Sequence, residues 1–294
     1  WRPEKPEYLK GEESFFMPDT TLNKKRAYTV LGVTLGGYAL AYGGLYYTWY
    51  RDFPLTDFHW FDDWHEWQQV DKMGHAYGGY QGGRGLIGLL KWSGMNRKKA
   101  AIWGGLLGGL TLHPLELLDG FAEKWGASWG DMLTNQMGGA LATMNELLWS
   151  EQRIQMKISY HPTGYAKFRP EVLGDNTTRY LKDYNGHTTW LSFRVHSWLN
   201  QETKFGQKYP RWLNVAFGYG ANHLMGGYGT ELTDAIRERE YRQYYLALDV
   251  DLSNIRTKSG ALNLILDILN FIHLPSPTFE FNGKHGFRWH WLYM

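Results

Sequence analysis

The first half of the chain has the apolar patterning of helices. Residues 27–50 carry no charge, and this stretch exceeds the about 20 residues that a helix needs to cross a bilayer core. The pattern therefore predicts a membrane-contacting helix, in which the spacing of Gly32 and Gly36 would let another helix approach closely. A buried helix of a soluble domain is the alternative. The preceding residues 1–24 are polar and charged and contain proline, which predicts an extended arm.

Three further helices are predicted over residues 70–91, 98–121 and 128–149. Their paired glycines each destabilise a helix by about 1 kcal/mol relative to alanine, so they are expected only where helix backbones pack closely. The glycines assigned to this packing are Gly79, Gly83, Gly104, Gly105, Gly108 and Gly109. Pro114 lacks an amide hydrogen and should kink or interrupt the second helix, whereas Ser128 is a suitable N-cap for the third.

After residue 150 the hydrophobic period changes to two, which predicts strands. Apolar and polar residues alternate over residues 153–160, 188–199, 211–219, 244–252 and 287–293. Loops are expected at 164–186 and 226–240, and the apolar stretch 261–274 is too short to span a membrane as a helix. With about six strands expected, an open sheet edge would have to pack on the chain's own helices or on a partner, because lipid does not tolerate it.

These elements predict an α+β membrane-associated protein. Its parts would be an extended N-terminal arm (1–24), a glycine-rich helical bundle (25–150) and a β-rich region (151–294) that forms an antiparallel sheet or a partial barrel.

Three polar pairs interrupt the predicted helices, each with a spacing of three or four residues that places both members on one helix face. They are Asp71 with His75, Glu116 with Asp119, and Asp131 with Asn135. We expect these six side chains to converge between the glycine-packed helices. Our first interpretation is a structural cluster that joins the helices by hydrogen bonds. Two alternatives stay open: a divalent metal site, and catalysis with His75 as a general base beside Asp71 and Glu116.

Composition narrows the function classes. The 31 basic and 29 acidic residues nearly balance, so no nucleic-acid partner is implied. The 20 Tyr, 15 Trp and 35 Gly exceed ordinary usage, and aromatic residues at that density suit a membrane interface. The mean hydropathy of -0.47 argues against a polytopic inner-membrane protein. With no cysteine, these residues hold no disulfide, thiolate metal site or lipid-bearing thiol. Because the sequence starts with Trp1, we expect a processed form whose signal peptide has been removed.

Residues 51–70 mix acidic residues, histidines and aromatic residues, which predicts an interfacial segment that leads into the next helix. His59, Asp62, Asp63, His65 and Glu66 could bind a metal, but they lack a repeating ligand spacing, so a solvated helix start is the preferred interpretation.

Five ordered motifs carry a family resemblance: DKMGHAY at 71–77, ELLDGF at 116–121, WGASWGDMLTNQMGG at 125–139, LKDYNGHTTWLSF at 181–193 and YYLALDVDL at 244–252. Together they resemble the long form of the YfiM-like family of Gram-negative cell envelopes, a family of unknown function. The helical part is also similar, more distantly, to VanZ-like membrane proteins. The resemblance implies an envelope protein of the outer membrane or its periplasmic face. It implies no reaction.

We therefore expect a non-enzymatic structural or accessory subunit of an outer-membrane protein assembly, in contact with membrane lipid and with other outer-membrane or periplasmic proteins. No Gly-x-Ser-x-Gly motif or phosphate-binding loop is present, and no cofactor is predicted apart from the alternative of a divalent metal. The competing hypotheses are a metal- or His-dependent membrane enzyme that acts on a lipid or cell-wall precursor, and a lipid-binding or channel protein.

Overall fold

A computed structural model describes residues 14–47, 54–227 and 232–294. Most of the predicted arm therefore lies outside the described residues. Within the described ranges the helices come first and the strands follow, which confirms the α+β class. The five longer helices or helical segments of the first half are α1 (Lys24–Leu45), α2 (Val70–Trp92), α3 (Arg97–Leu110), α4 (His113–Asp119) and α5 (Trp129–Trp149).

Helix α1 differs from the predicted membrane-crossing helix. It ends at Leu45, and residues 48–50 of the predicted segment lie outside the described residues. Within the described ranges, none of the helices combines the length and the apolar character needed to cross a membrane. Much of α1 consists of Gly, Tyr and Thr, which are less apolar than Leu, Ile and Val. A Cβ built at Gly32 or Gly36 would meet open space, so the close approach expected there is absent.

The second predicted helix is interrupted near Pro114, which is one of the two outcomes predicted there. Helix α3 ends at Leu110 and α4 starts at His113, with Pro114 in its first turn, where the missing amide hydrogen costs no intrahelical bond. The expected cap of α5 is confirmed, because the Asp131 amide donates to Ser128 Oγ at 3.1 Å. Residues 54–65, in contrast to the predicted helix start, form isolated bridges to the segment between α4 and α5.

Glycine contacts hold α2, α3 and α5 together. A Cβ at Gly108 would overlap the Gly83 backbone, and one at Gly79 would overlap the Asn135 carbonyl. Gly104 and Gly105 likewise abut Ile87 of α2 and Thr143 or Gly139 of α5, and Gly109 abuts Gln136 of α5. These backbone approaches bring the polar faces of the three helices close together.

In the described residues of the second half, the structure has five short α-helices and six strands. The helices are α6 (Pro170–Leu173), α7 (Arg179–Lys182), α8 (Lys204–Lys208), α9 (Asp234–Arg237) and α10 (Gly260–Leu269). The strands are β1 (Ile154–Tyr160), β2 (His187–Phe193), β3 (Leu213–Asn222), β4 (Tyr241–Val250), β5 (Ser276–Asn282) and β6 (Gly286–Tyr293). They form one open antiparallel sheet in sequential order. Strand β5 was not among the predicted segments, and α6 and α7 lie within a predicted loop.

The two edges of the sheet differ. Strand β1 is covered by the segment that leads into β5, because the Ile158 amide donates to the Phe271 carbonyl and the His273 amide donates to the Ile158 carbonyl. Strand β6 pairs with β5 on one side only, within the part of the chain that the structure describes.

The sheet buries its polar side and exposes much of its apolar side. In β5 the buried positions are Ser276, Thr278, Glu280 and Asn282, whereas Phe279 and Phe281 are exposed. The polar side faces inward because the sheet curls: Lys157 of β1 reaches Asp249 of β4, two strands beyond its neighbour β2. Polar side chains in a closed interior must pair with one another, and here they do so across the curl.

A single row of apolar residues shows how the two halves meet. The register aligns Met156, Leu191, Phe217, Leu246, Phe279 and Trp289 across the six strands. Met156 and Leu191 pack against Tyr80 and Ile87 of α2, whereas Phe217, Leu246, Phe279 and Trp289 are 42–55% exposed. The helices therefore cover only the first part of a face that continues uncovered to β6.

A strained segment precedes α2. Trp67, Gln68 and Gln69 have positive φ angles of 50°, 51° and 62°, a conformation that L-residues rarely adopt in succession. The strand half holds this segment: Tyr219 donates to the Gln68 carbonyl, and Arg242 donates to Gln69 Oε1 at 2.6 Å. These contacts fix the start of α2, and with it Asp71 and Lys72, relative to the sheet.

Candidate functional site

Lys72 lies at the centre of the gathered polar residues. Its ammonium is 2.7 Å from Asp131 Oδ1, 2.8 Å from Asp63 Oδ1 and 3.3 Å from Asp71 Oδ2, and the residue is only 4% exposed. Ser128, the N-cap of α5, also donates to Asp63 Oδ1 at 2.6 Å. One cation thus joins the segment before α2, the first turn of α2 and the first turn of α5.

His75 lies one helical turn from Asp71 and contacts the other side of the same group. Its Nε2 is 3.7 Å from both Asp71 Oδ1 and Asp131 Oδ1. Its Nδ1 lies 3.2 Å from Asn135 Oδ1 and 3.6 Å from Glu116 Oε1. With Asn135 Oδ1 as the acceptor, the ring donates from Nδ1, and Nε2 faces the two aspartates. We call Asp63, Asp71, Lys72, His75, Glu116, Asp131 and Asn135 the polar cluster.

Burial and charge set the protonation of the polar cluster. Burial raises the pKa of Glu116 to about 9, with further contributions from the charges of Asp119 and Asp71. Burial and then the charge of Asp71 raise the pKa of Asp131, and they outweigh the opposing effect of Lys72. Burial alone would also raise the pKa of Asp71, but His75 and Lys72 lower it. The carboxylates of Asp71 and Asp63 then face the Lys72 ammonium, while Glu116 holds a proton at neutral pH.

Three atoms of the polar cluster converge as metal ligands would. Asp71, His75 and Asp131 each offer one ligand atom, and these atoms lie within 4.8 Å of one another. Glu116 Oε1, which is 3.6 Å from His75 Nδ1, and Asn135 Nδ2 are buried without a hydrogen-bond partner among the described residues. The nitrogen and carboxylate donors fit a divalent ion. The Lys72 ammonium, however, already lies against Asp131 Oδ1 and would repel such an ion.

The structure brings together five of the six side chains expected to converge: Asp71, His75, Glu116, Asp131 and Asn135. Asp119 lies at the periphery, where its carboxylate accepts a hydrogen bond from the Trp125 indole and adds to the field at Glu116. The role of these residues stays a prediction.

Sequence reasoning missed three members of this site. Lys72 is not among the six side chains expected to converge, and Asp63 is considered only as a metal ligand of the 51–70 segment. Tyr184 donates to Asp71 Oδ1 at 2.6 Å from a position 113 residues away in the sequence. The presence of Tyr184 in the motif at 181–193 was the one available signal for it.

A second buried polar group lies inside the curled sheet and was not predicted. Asp249 lies 2.7 Å from Lys157 Nζ and accepts from Ser192 Oγ at 2.6 Å, and His273 Nδ1 lies 3.0 Å from it. Ser276 Oγ is 3.4 Å from His273 Nε2, an order that resembles a serine, histidine and aspartate triad. All three side chains are buried, and Lys157 already compensates the charge of Asp249. The alternation of Lys157 with Ile158 in the sequence placed the two side chains on opposite faces of the strand, but it did not show that the face of Lys157 is buried.

The protein is therefore an α+β protein with two buried ionic centres. One is the polar cluster at the ends of the glycine-packed helices, and the other lies inside the curled sheet. Residues 57–147 match the model of a family described as "Predicted periplasmic lipoprotein (DUF2279)". The matched segment contains α2, α3, α4, all of α5 except its last two residues, and every member of the polar cluster. Neither the curated proteins nor the solved structures include a significant match to the chain.

The family match supports a location in the Gram-negative cell envelope. It agrees with the envelope protein of unknown function that the motifs implied, but it does not confirm the YfiM-like or VanZ-like resemblance. The two motifs at 181–193 and 244–252 lie outside the matched residues.

Proposed function

We propose that the protein is a non-enzymatic structural or accessory subunit of an outer-membrane protein assembly. One observation carries the proposal: the apolar row that packs on α2 at Met156 and Leu191 continues bare across β3 to β6. A second exposed row runs beside it, formed by Tyr244, Phe281 and Phe287. Contiguous apolar patches of this kind mark interaction sites rather than ordinary surface.

The partner proposed for this face is another protein of the assembly. Strand β6 leaves one edge unpaired among the described residues, and its exposed backbone groups need hydrogen-bond partners wherever water is excluded. A strand added by a partner would pair with that edge and cover the apolar rows at the same time. Lipid alone would cover the rows and leave the edge unpaired.

Crosslinking at β6 tests this proposal. A photo-reactive phenylalanine in place of Trp291, which is 78% exposed on β6, should crosslink to one protein of defined mass in intact cells. The same group in place of Phe168, which is 77% exposed outside the sheet, should give no such product. Adding Phe279→Asp and Trp289→Asp should abolish the crosslink. Crosslinking to lipid alone, or an undiminished product in the double variant, would contradict the proposal.

The convergence of Asp71, His75 and Asp131 supports a second candidate, a metal-dependent enzyme acting on a lipid or cell-wall precursor. In that case purified protein should contain a stoichiometric divalent metal by elemental analysis, and His75→Ala should lose it. The matched variant His285→Ala, in the turn between β5 and β6, should retain it. Protein that folds normally and holds no metal after purification without chelator would eliminate this candidate.

A further inference from the structure

A cavity of about 350 Å³ opens at one end of the sheet, away from the polar cluster. It lies where the connection between α5 and β1, the end of β2, the start of β3 and the turn after β4 meet. Its lining includes Arg153, Arg194, His196, Gln201, Arg211 and Asn254. The volume lies near the lower end of the range for small-molecule sites, which is about 300–1,000 Å³.

The charges at this cavity do not cancel. Glu151 is the one carboxylate in the lining, and Asp251 lies behind it against Arg194. Arg194 uses its donors on these two acids and on Ser253, at 2.8–3.1 Å. Arg153 donates Nε to the same Glu151 at 2.7 Å. Three guanidinium groups therefore face two carboxylates.

Arg211 is the third arginine of the lining, and its charge is not compensated by either of these carboxylates. It has no carboxylate partner within the described ranges, and its charge contributes, after burial, to the lowered pKa of His196. The terminal nitrogens of Arg153 also have no hydrogen-bond acceptor in the part of the chain that the structure describes. Its guanidinium instead lies 5.6 Å from the ring centre of Trp149 and 5.4 Å from that of Trp198. Free N–H groups of two arginines thus remain for an anionic ligand.

Guanidinium groups recognise phosphate through paired N–H donors. The imidazole of His196 and the second amide hydrogen of Asn254, whose first hydrogen is donated to Asp251, add neutral donors, whereas the Gln201 amide already donates to the carbonyls of His196 and Leu199. Glu151 opposes an anion, but both arginines that it contacts already compensate its charge. A phosphate group therefore matches these donors better than a carboxylate does, because a carboxylate has fewer oxygen atoms and would accept hydrogen bonds from fewer of them.

Three exposed apolar residues adjoin lining residues in the sequence, and we call Trp198, Trp212 and Ile255 the apolar rim. Trp198 follows Ser197, Trp212 follows Arg211 and Ile255 follows Asn254. Tryptophan beside a cationic group is the arrangement found where a polar headgroup meets hydrocarbon. A water-soluble phosphate would use the donors and leave this rim uncovered.

We propose that the cavity binds the phosphate ester of a lipid headgroup, with Arg153 and Arg211 as its main donors and the apolar rim against the acyl chains. The site lies apart from the bare face of β3 to β6 and does not require a partner protein. The proposal therefore goes beyond the accessory role, and either can fail without the other.

Binding of soluble probes tests the assignment. Full-length protein in an uncharged detergent would be titrated calorimetrically with short-chain phosphatidylglycerol, with glycerol phosphate and with inorganic phosphate. We expect the lipid to bind most tightly. Arg211→Gln should weaken lipid binding about tenfold or more, because a hydrogen bond to a charged group contributes about 1.5–3 kcal/mol and about 1.4 kcal/mol corresponds to a tenfold change in affinity.

Lys208→Gln is the matched control, because it removes the same charge from an exposed position outside the cavity and should leave binding unchanged. Arg211 makes no ion pair within the described ranges, so its variant should fold normally, which a thermal melt would verify. Equal binding by the wild type and Arg211→Gln, or no lipid binding at all, would overturn the site. Inorganic or glycerol phosphate binding as tightly as the lipid would overturn the lipid assignment.

Discussion

The ammonium group of Lys72 contacts three acidic side chains, so its removal leaves the negative charges of Asp71 and Asp63 without that compensation. We predict that Lys72→Met lowers the free energy of unfolding by about 3–5 kcal/mol, the usual cost of breaking a buried ion pair. Urea unfolding would measure the change. Lys99→Met, at an exposed position of α3, should change it by less than about 0.5 kcal/mol. A Lys72→Met loss as small as that of the control would show that Lys72 does not stabilise the polar cluster.

Glu116 gives the stability a defined pH dependence. Its folded-state pKa of about 9 exceeds the ordinary value of 4.5, so the folded chain keeps a proton that the unfolded chain releases between these pH values. Its contribution should therefore make stability fall as pH rises through this window, by about 1.4 kcal/mol per pH unit for one full proton.

Glu116→Gln imitates the protonated acid and should flatten that slope. Free energies of unfolding measured from pH 5 to pH 9, with chelator present, would test this, and Glu202→Gln at an exposed position would serve as the control. A slope unchanged by Glu116→Gln would mean that Glu116 is ionised in the folded protein.

At the residue scale the sequence predicted part of the site. The three- and four-residue spacings of Asp71 with His75 and of Asp131 with Asn135 placed each pair on one helix face, because helix geometry is local. Tyr184 could not be found in this way, since its contact with Asp71 depends on how the connection between β1 and β2 folds over the helices. The sharing of Lys72 among three acids likewise depends on where Asp63 lies in space.

The helices depend on glycine at positions where two backbones meet. Gly108 of α3 abuts Gly83 of α2, and a Cβ there would overlap the backbone rather than a movable side chain. We predict that Gly108→Ala destabilises the protein by about 1–3 kcal/mol or more through overpacking. Thermal and urea unfolding would measure the effect.

Gly85 provides the control for this prediction on the neighbouring helix. A Cβ at Gly85 would meet open space, so Gly85→Ala should be neutral or stabilise the protein by up to about 1 kcal/mol through helix propensity. If both variants behaved alike, helix propensity rather than close packing would explain the glycines.

At the element scale, long periodic segments were predictable and their ends were not. The predicted helices 70–91 and 128–149 agree with α2 and α5 within a residue or so, because helix caps and periodicity depend on residues that are close together in the sequence. The break between α3 and α4 is one of the two outcomes predicted at Pro114, a kink or an interruption. Strand β5 was missed, although it alternates regularly, because it is short and follows the apolar residues of α10.

The curl of the whole sheet depends on contacts between strands that are not neighbours. Lys157 joins β1 to Asp249 of β4 with both side chains fully buried. We predict that Lys157→Met lowers the free energy of unfolding by about 3–5 kcal/mol, because Asp249 would keep its charge with only His273 and Ser192 beside it. Lys258→Met, at an exposed position, is the control for urea unfolding. A loss below about 1 kcal/mol would show that the curl does not depend on this pair.

By itself, the sequence determined the order of helices before strands, the glycine-packed faces, the capped start of α5 and the pairing of polar residues on single helix faces, since all of these follow from local periodicity and backbone geometry. Only the tertiary structure decided which side of the alternating strands is buried. Period two separates two faces but does not say which one is inside, and here the curl of the sheet encloses the polar face and leaves the apolar row bare from β3 to β6. The same holds for Lys72 and for the arginine-lined cavity, whose charges come from segments that meet only after the chain has folded.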